Sequence, residues 1–126
     1  MVRTSVTKHF RKDYGCPVEL AVDLLGGKWK TVILARIKEG PLTYGGLRNS
    51  MRGLSDKVLT EKLKDLVELC VVEHVAIDAA GDRKHYRLTD RGRDLAPVLE
   101  ALYRAGGLLA DQLDIRFPQT ADRHVR

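Results

Sequence analysis

TYGGLRNSMRGLSDKVLTEKLKDLVELC, residues 43–70, contains two helix starts and one break. Thr43 is placed to cap a helix from Tyr44 to Met51 with Leu47 inward, Gly53 interrupts it, and Ser55 offers a second cap. From Asp56 to Cys70 the apolar residues Leu59, Leu63, Leu66 and Cys70 recur in steps of four, three and four. Lys57, Thr60, Glu61 and Lys64 fall on the opposite face, so this helix pairs a core side with a hydrophilic side. Two such helices joined by a short turn read as a helix-turn-helix.

Upstream, Pro17 opens a helix at its first position, and Val18, Ala21, Val22 and Leu25 give it an apolar face until Gly26-Gly27. A second helix from Lys28 to Glu39 places Trp29, Ile33 and Ile37 at fourfold spacing and ends at Gly40-Pro41; it is expected to be a central core element. Downstream, Val71 to Asp78 is rich in β-branched residues, residues 79–82 are turn material, and His85 to Leu88 alternates again. This reads as a hairpin with Arg83 and Lys84 near its tip, its register loosely fixed because Val71 and Val72 are adjacent. Thr89 is expected to cap one long helix carrying Leu95, Leu99, Leu102, Gly106, Leu109 and Leu113, with Pro97 bending it.

The expected fold is mainly α with a small β-hairpin wing (α+β), a winged helix-turn-helix whose first and last helices form a dimer interface. Residues 15–113 form the DNA-binding and dimerisation domain, residues 1–14 a basic N-terminal arm and residues 114–126 a C-terminal tail. The first and last helices carry more apolar residues than a chain of 126 residues needs for its own core, which argues for a homodimer. The counter-reading folds the last helix back on its own domain.

Lys and Arg total 22 against 17 Asp and Glu, a net charge of +5, and the isoelectric point near 9.4 favours a polyanionic partner. The N-terminus has no apolar stretch resembling a signal peptide, and no run approaches ~18 apolar residues, so the chain is expected to be cytoplasmic and to have no membrane partner. Two cysteines, Cys16 and Cys70, cannot build a disulfide framework.

A recognition helix must bury one side and offer short polar and basic groups to the major groove. Ser55, Lys57, Thr60 and Lys64 meet that need on one face. Arg83 and Lys84 on the projecting turn are placed to reach phosphates or a minor groove, and Arg48 and Arg52 to add phosphate contacts. Each charge taken alone is equally well read as solvated surface.

Cys16-Pro17-Val18-Glu19, Leu24 to Lys30 (LLGGKWK), Gly40-Pro41-Leu42, Gly46-Leu47-Arg48, Leu54-Ser55 with Leu59-Thr60, and Tyr86 to Thr89 (YRLT) with Gly92 together resemble the HxlR-type family of bacterial regulators. The resemblance runs over roughly residues 14 to 105. It implies a dimeric winged-helix regulator, usually a repressor, that binds double-stranded operator DNA of pseudo-palindromic sequence, with residues 55–70 as recognition helix and 79–84 as wing. One departure lies late in the last helix, where Ala105-Gly106-Gly107 stands in place of the family's aromatic-glycine pair. Cys16, just before a helix-opening proline, resembles the redox or quinone sensors of the family, and a place at the positive end of a helix dipole is expected to favour reactivity there. The bland alternative is a small residue buried at the helix junction. Cys70 is expected to be a buried core thiol of the recognition helix.

Other classes fit less well. His9, His74, His85 and His124 lie on tails or strands, no catalytic triad or phosphate loop is present, and the chain is not expected to be an enzyme or to need a cofactor. A metal sensor would need His74 and His85 to face each other across the hairpin, joined by Cys16 or Cys70. A small-molecule effector would need an apolar pocket near Trp29 and Tyr103. A winged module that has lost DNA binding would lack a basic recognition face, and Asp56 and Glu61 do dilute it.

Overall fold

The computed structural model describes Phe10, residues 13–76 and residues 84–117. In chain order these contain α1 (Pro17–Leu25), α2 (Gly27–Lys38), β1 (Leu42–Thr43), α3 (Tyr44–Ser50), α4 (Asp56–Glu68), β2 (Val72–Ala76), β3 (Lys84–Leu88), α5 (Asp90–Arg93) and α6 (Ala96–Leu113). The architecture is a winged helix-turn-helix, mainly helical with an antiparallel sheet in the order β1-β3-β2.

Local capping sets the helix starts. Thr43 Oγ1 accepts from the Gly46 N–H at 3.0 Å, Ser55 Oγ from Val58 at 3.2 Å, and Thr89 Oγ1 from Gly92 at 3.1 Å. Between α1 and α2 the chain turns through Gly26 and Gly27, both at positive φ, a conformation glycine adopts without steric cost. α2 is central, packing against α4, α6 and β3. Its Ile33, Leu34 and Ile37 join Leu47, Leu59, Leu63, Leu66 and Val71 in the core. Burying each such side chain contributes roughly 1.5–3 kcal/mol, which is what holds the amphipathic helices in place.

The hairpin pairs Val72 with Leu88, Glu73 with Arg87, His74 with Tyr86, Val75 with His85 and Ala76 with Lys84. Arg87 Nε donates to Glu73 Oε2 at 2.8 Å across that pairing. The turn at residues 79–82 and the side chain of Arg83 lie outside the described residues. β1 was not foreseen: Leu42 pairs with Tyr86 and Thr43 with His85, extending the wing by a strand too short to show its own alternation.

Two further expectations are corrected. Cys70 does not continue the stripe of α4: it follows the C-cap Leu69 with φ 64°, half-buried, and Leu69 takes the core position at 1% exposure. The Cys70 N–H donates to Val67 O at 3.0 Å and the Val71 N–H to Leu66 O at 3.1 Å, the paired bonds of a Schellman ending. Cysteine therefore stands where glycine is usual. The helix after Thr89 is also not continuous: α5 closes at Arg93, Asp94 and Leu95 form a turn, and α6 begins at Ala96. Pro97 lies in the first two positions of α6, where its missing N–H costs nothing, so it starts that helix instead of bending it.

The junction behind α4 is close-packed. Thr89 N–H and Oγ1–H donate to Val71 O and Cys70 O at 3.0 and 2.6 Å, and Arg91 Nη1 donates to Leu69 O at 2.9 Å. Gly92 is buried here, and a Cβ on it would sit 2.2 Å from Val71 O.

Candidate nucleic-acid interface

α4 presents a polar face because its apolar residues are spent on the core. Leu59, Leu63 and Leu66 are buried, while Ser55, Asp56, Lys57, Thr60, Glu61 and Lys64 are exposed. Of the residues singled out from the sequence, Lys57, Thr60 and Lys64 share the exposed face of α4, and Ser55 is exposed at its N-cap. Ser55 is also committed locally, since its Oγ caps the helix.

Arg48 belongs to this surface but is not an isolated cation. Its Nε donates to Asp56 Oδ1 at 2.6 Å, and the Tyr44 hydroxyl donates to the same oxygen at 2.9 Å. The Arg48 hydrogen bond first, then that of Tyr44, holds the Asp56 carboxyl below the usual carboxylate range. Tyr44 and Asp56 were not among the sequence candidates. Spacing by four places Tyr44 with Arg48 and Asp56 with Thr60 on shared helix faces but carries no signal of the contact between the two helices.

Lys84 is exposed at the start of β3, on the wing side of the same region, whereas Arg83 lies outside the described residues. Between α4 and the hairpin is an open groove of about 390 Å³ lined by Tyr44, Thr60, Lys64, Val67, His74 and Tyr86, among others. His74 and Tyr86 meet edge to face with centroids 4.7 Å apart. Burial, reinforced by Tyr44, raises the Tyr86 phenol above its ordinary value.

His74 and His85 occupy adjacent cross-strand pairings and therefore point to opposite faces of the sheet. The facing pair needed by a metal site is not formed, and no cluster of three His, Cys, Asp or Glu suited to a metal occurs among the described residues. Trp29 is half-buried with Lys28 Nζ 4.4 Å from its ring centroid, and Tyr103 is exposed on α6.

Cys16 is exposed at the N-cap of α1, immediately before Pro17, and is a free thiol, as is Cys70. The buried-junction reading of Cys16 is therefore not the one realised. α1, which Cys16 precedes, exposes Val18 by 67% and Val22 by 60%, and α6 exposes Leu108, Leu109 and Leu113 by 60, 52 and 62%. No described helix is long and apolar enough to cross a membrane.

The chain is similar to known proteins over most of its length. A family model described as HxlR-like helix-turn-helix matches residues 24–113. An uncharacterized HTH-type transcriptional regulator of Methanothermobacter thermautotrophicus is 31% identical over 94 residues, spanning 75% of this chain and 72% of the relative. The redox regulator HypR in its reduced form superposes with a TM-score of 0.71 at 26% identity, covering 79% of this chain and 98% of HypR. The reduced form of the transcriptional regulator YodB from Bacillus subtilis superposes at 0.61 with 29% identity, covering 79% and 94% of the two chains.

Proposed function

Because the chain belongs to the HxlR-like helix-turn-helix family of transcriptional regulators, we propose that it is a repressor that binds a pseudo-palindromic operator as a homodimer and responds to oxidants or quinones through Cys16. The observation that carries this reading is the exposed polar face of α4, with Lys57, Thr60 and Lys64 on one side of a helix whose other side is core and Ser55 exposed at its N-cap. Those groups read the major groove, while Arg48, Arg83 and Lys84 contact backbone phosphates. The exposed apolar side chains of α1 and α6 supply the two-fold interface, and a two-fold protein matches a two-fold operator. Residues 15–113 act as the DNA-binding and dimerisation unit, 1–14 as a basic arm and 114–126 as a tail.

The redox element rests on Cys16, an exposed thiol at the N-terminus of α1, and is supported by likeness to HypR, which is described as a redox regulator. A modification there changes the geometry of the two subunits and hence the spacing of their α4 helices.

The test is a fluorescence-anisotropy titration against the protein's own promoter DNA, reduced and then diamide-treated, with Cys16→Ser alongside. Tight binding that oxidation releases only when Cys16 is present is the expected result. Release that persists in Cys16→Ser removes Cys16 as the sensor, and indifference to oxidant removes the thiol switch while leaving the repressor. No specific binding to the promoter or its neighbours defeats the operator reading.

A further inference from the structure

α3 and α4 meet outside the apolar core at a small polar cluster made by two one-turn pairs, Tyr44 with Arg48 and Asp56 with Thr60. Asp56 Oδ1 receives both Arg48 Nε and the Tyr44 hydroxyl, and the Tyr44 oxygen lies 3.5 Å from Thr60 Oγ1. Counting protons gives this cluster a direction. An ionised carboxylate only accepts, so the single Tyr44 proton is committed to Asp56. The main-chain oxygen of Asp56, 3.4 Å from the same hydroxyl, is also an acceptor and leaves that assignment unchanged. What the Tyr44 oxygen offers Thr60 is a lone pair, so the Thr60 proton points back toward Tyr44. Thr60 itself is exposed, so its hydroxyl is open to a partner from outside.

We infer that Tyr44 and Asp56 are positioning residues that polarise Thr60 into a hydrogen-bond acceptor, so that α4 selects a base with an exocyclic amino group at the position facing Thr60. The inference rests on the reading of α4 as the major-groove helix. In that groove adenine and cytosine present amino donors, whereas guanine and thymine present acceptors at the corresponding edge. A free hydroxyl rotates to suit either kind; one beside a Tyr44 oxygen whose proton is spent on a carboxylate is biased toward accepting. Arg48, its Nε occupied, keeps its terminal nitrogens for a phosphate.

The test uses the full chain and a duplex that it selects from a randomised library. Each adenine or cytosine of the selected site is replaced in turn by purine or 2-pyrimidinone, which lack the exocyclic amine, and affinity is read by anisotropy. One position in each half-site is expected to cost the wild type about tenfold. At that position Tyr44→Phe and Thr60→Val lose the discrimination, Thr60→Ser keeps it, and the double variant is no worse than either single one. The salt slope of Tyr44→Phe stays that of the wild type, which a general loosening of α4 would not allow. If no position depends on its amine, or Tyr44→Phe preserves the preference, the polarised hydroxyl is wrong while α4 remains the reader. If Thr60→Val and Lys64→Ala both leave site choice untouched, the reading of α4 itself fails with it. Should Tyr44→Phe not fold, the comparison of Thr60→Val with Thr60→Ser decides the matter.

Discussion

Replacing Gly92 by alanine attacks the junction that fixes the end of α4. The new Cβ would sit 2.2 Å from Val71 O and 3.2 Å from Leu88 Cβ and Cδ2. An unstrained carbon–oxygen contact is near 3.3 Å or more, so α5 must retreat by about 1 Å. Overpacking of this kind costs roughly 1–3 kcal/mol, and backbone oxygen cannot swing aside as a side chain does. The same retreat lengthens the bonds from Thr89 to Val71 O and Cys70 O, each worth about 1 kcal/mol. Alanine returns up to about 1 kcal/mol through its helix propensity. The net loss is about 3 kcal/mol, or a fall of about 12 °C in Tm for a chain of this size. Thermal melts followed by circular dichroism at one fixed protein concentration measure it. Gly45→Ala is the control: its Cβ meets only Thr43 Oγ1 at 4.0 Å, and its Tm should hold or rise. A Gly92→Ala melt within 2 °C of wild type, by the ~4 °C per kcal/mol conversion, would refute the close-approach argument.

Asp56→Asn should lower Tm at pH 7 by more than it does in acid. A carboxyl whose folded pKa is depressed contributes above the usual carboxylate range and loses that contribution as pH falls through the lowered value, so the two melts converge on acidification. A difference that persists in acid, or that is insensitive to added salt, would contradict an ionic tie at this exposed site. Leu109→Asp, at a position exposed by 52% in the single chain, should yield folded monomer by light scattering with weakened operator binding; an unchanged dimer would move the interface elsewhere. Lys64→Ala should change which sequences are preferred, whereas Arg83→Ala should weaken all sequences alike and reduce the salt slope by about one. Equal losses on every sequence for both variants would dissolve that division.

What could be read in advance was what depends on neighbours in the chain. Thr43, Ser55 and Thr89 cap the helices that follow them because a cap needs only a side chain and an N–H three residues on. The stripe of Leu59, Leu63 and Leu66 was legible for the same reason, and so was the exposed face opposite it. β1 was not, since two residues become a strand only by pairing with Tyr86 and His85. Nor was the ending of α4: cysteine in the left-handed region costs about 1–2 kcal/mol and is not the residue a Schellman motif advertises. Pro97 reads in the sequence as a bend in one long helix, because the Asp94–Leu95 turn that makes it a start carries no helix-breaking residue. In the candidate site, the polar positions of α4 followed from periodicity. The tie from Tyr44 to Asp56 spans twelve residues and two elements, beyond the reach of any helical spacing.

The capture of three successive carbonyls, Leu69, Cys70 and Val71, by Thr89 and Arg91 also has a mechanical meaning. These are the points where a helix normally frays, and here they are bolted to the short segment that leads through two residues into α6. A rotation of α6 carried through that segment would reach α4 at its anchored end. In a paired molecule, a few degrees at the subunit seam would be converted into a change of pitch and separation between two probes seated one DNA turn apart, and a groove that one setting fits, the other misses.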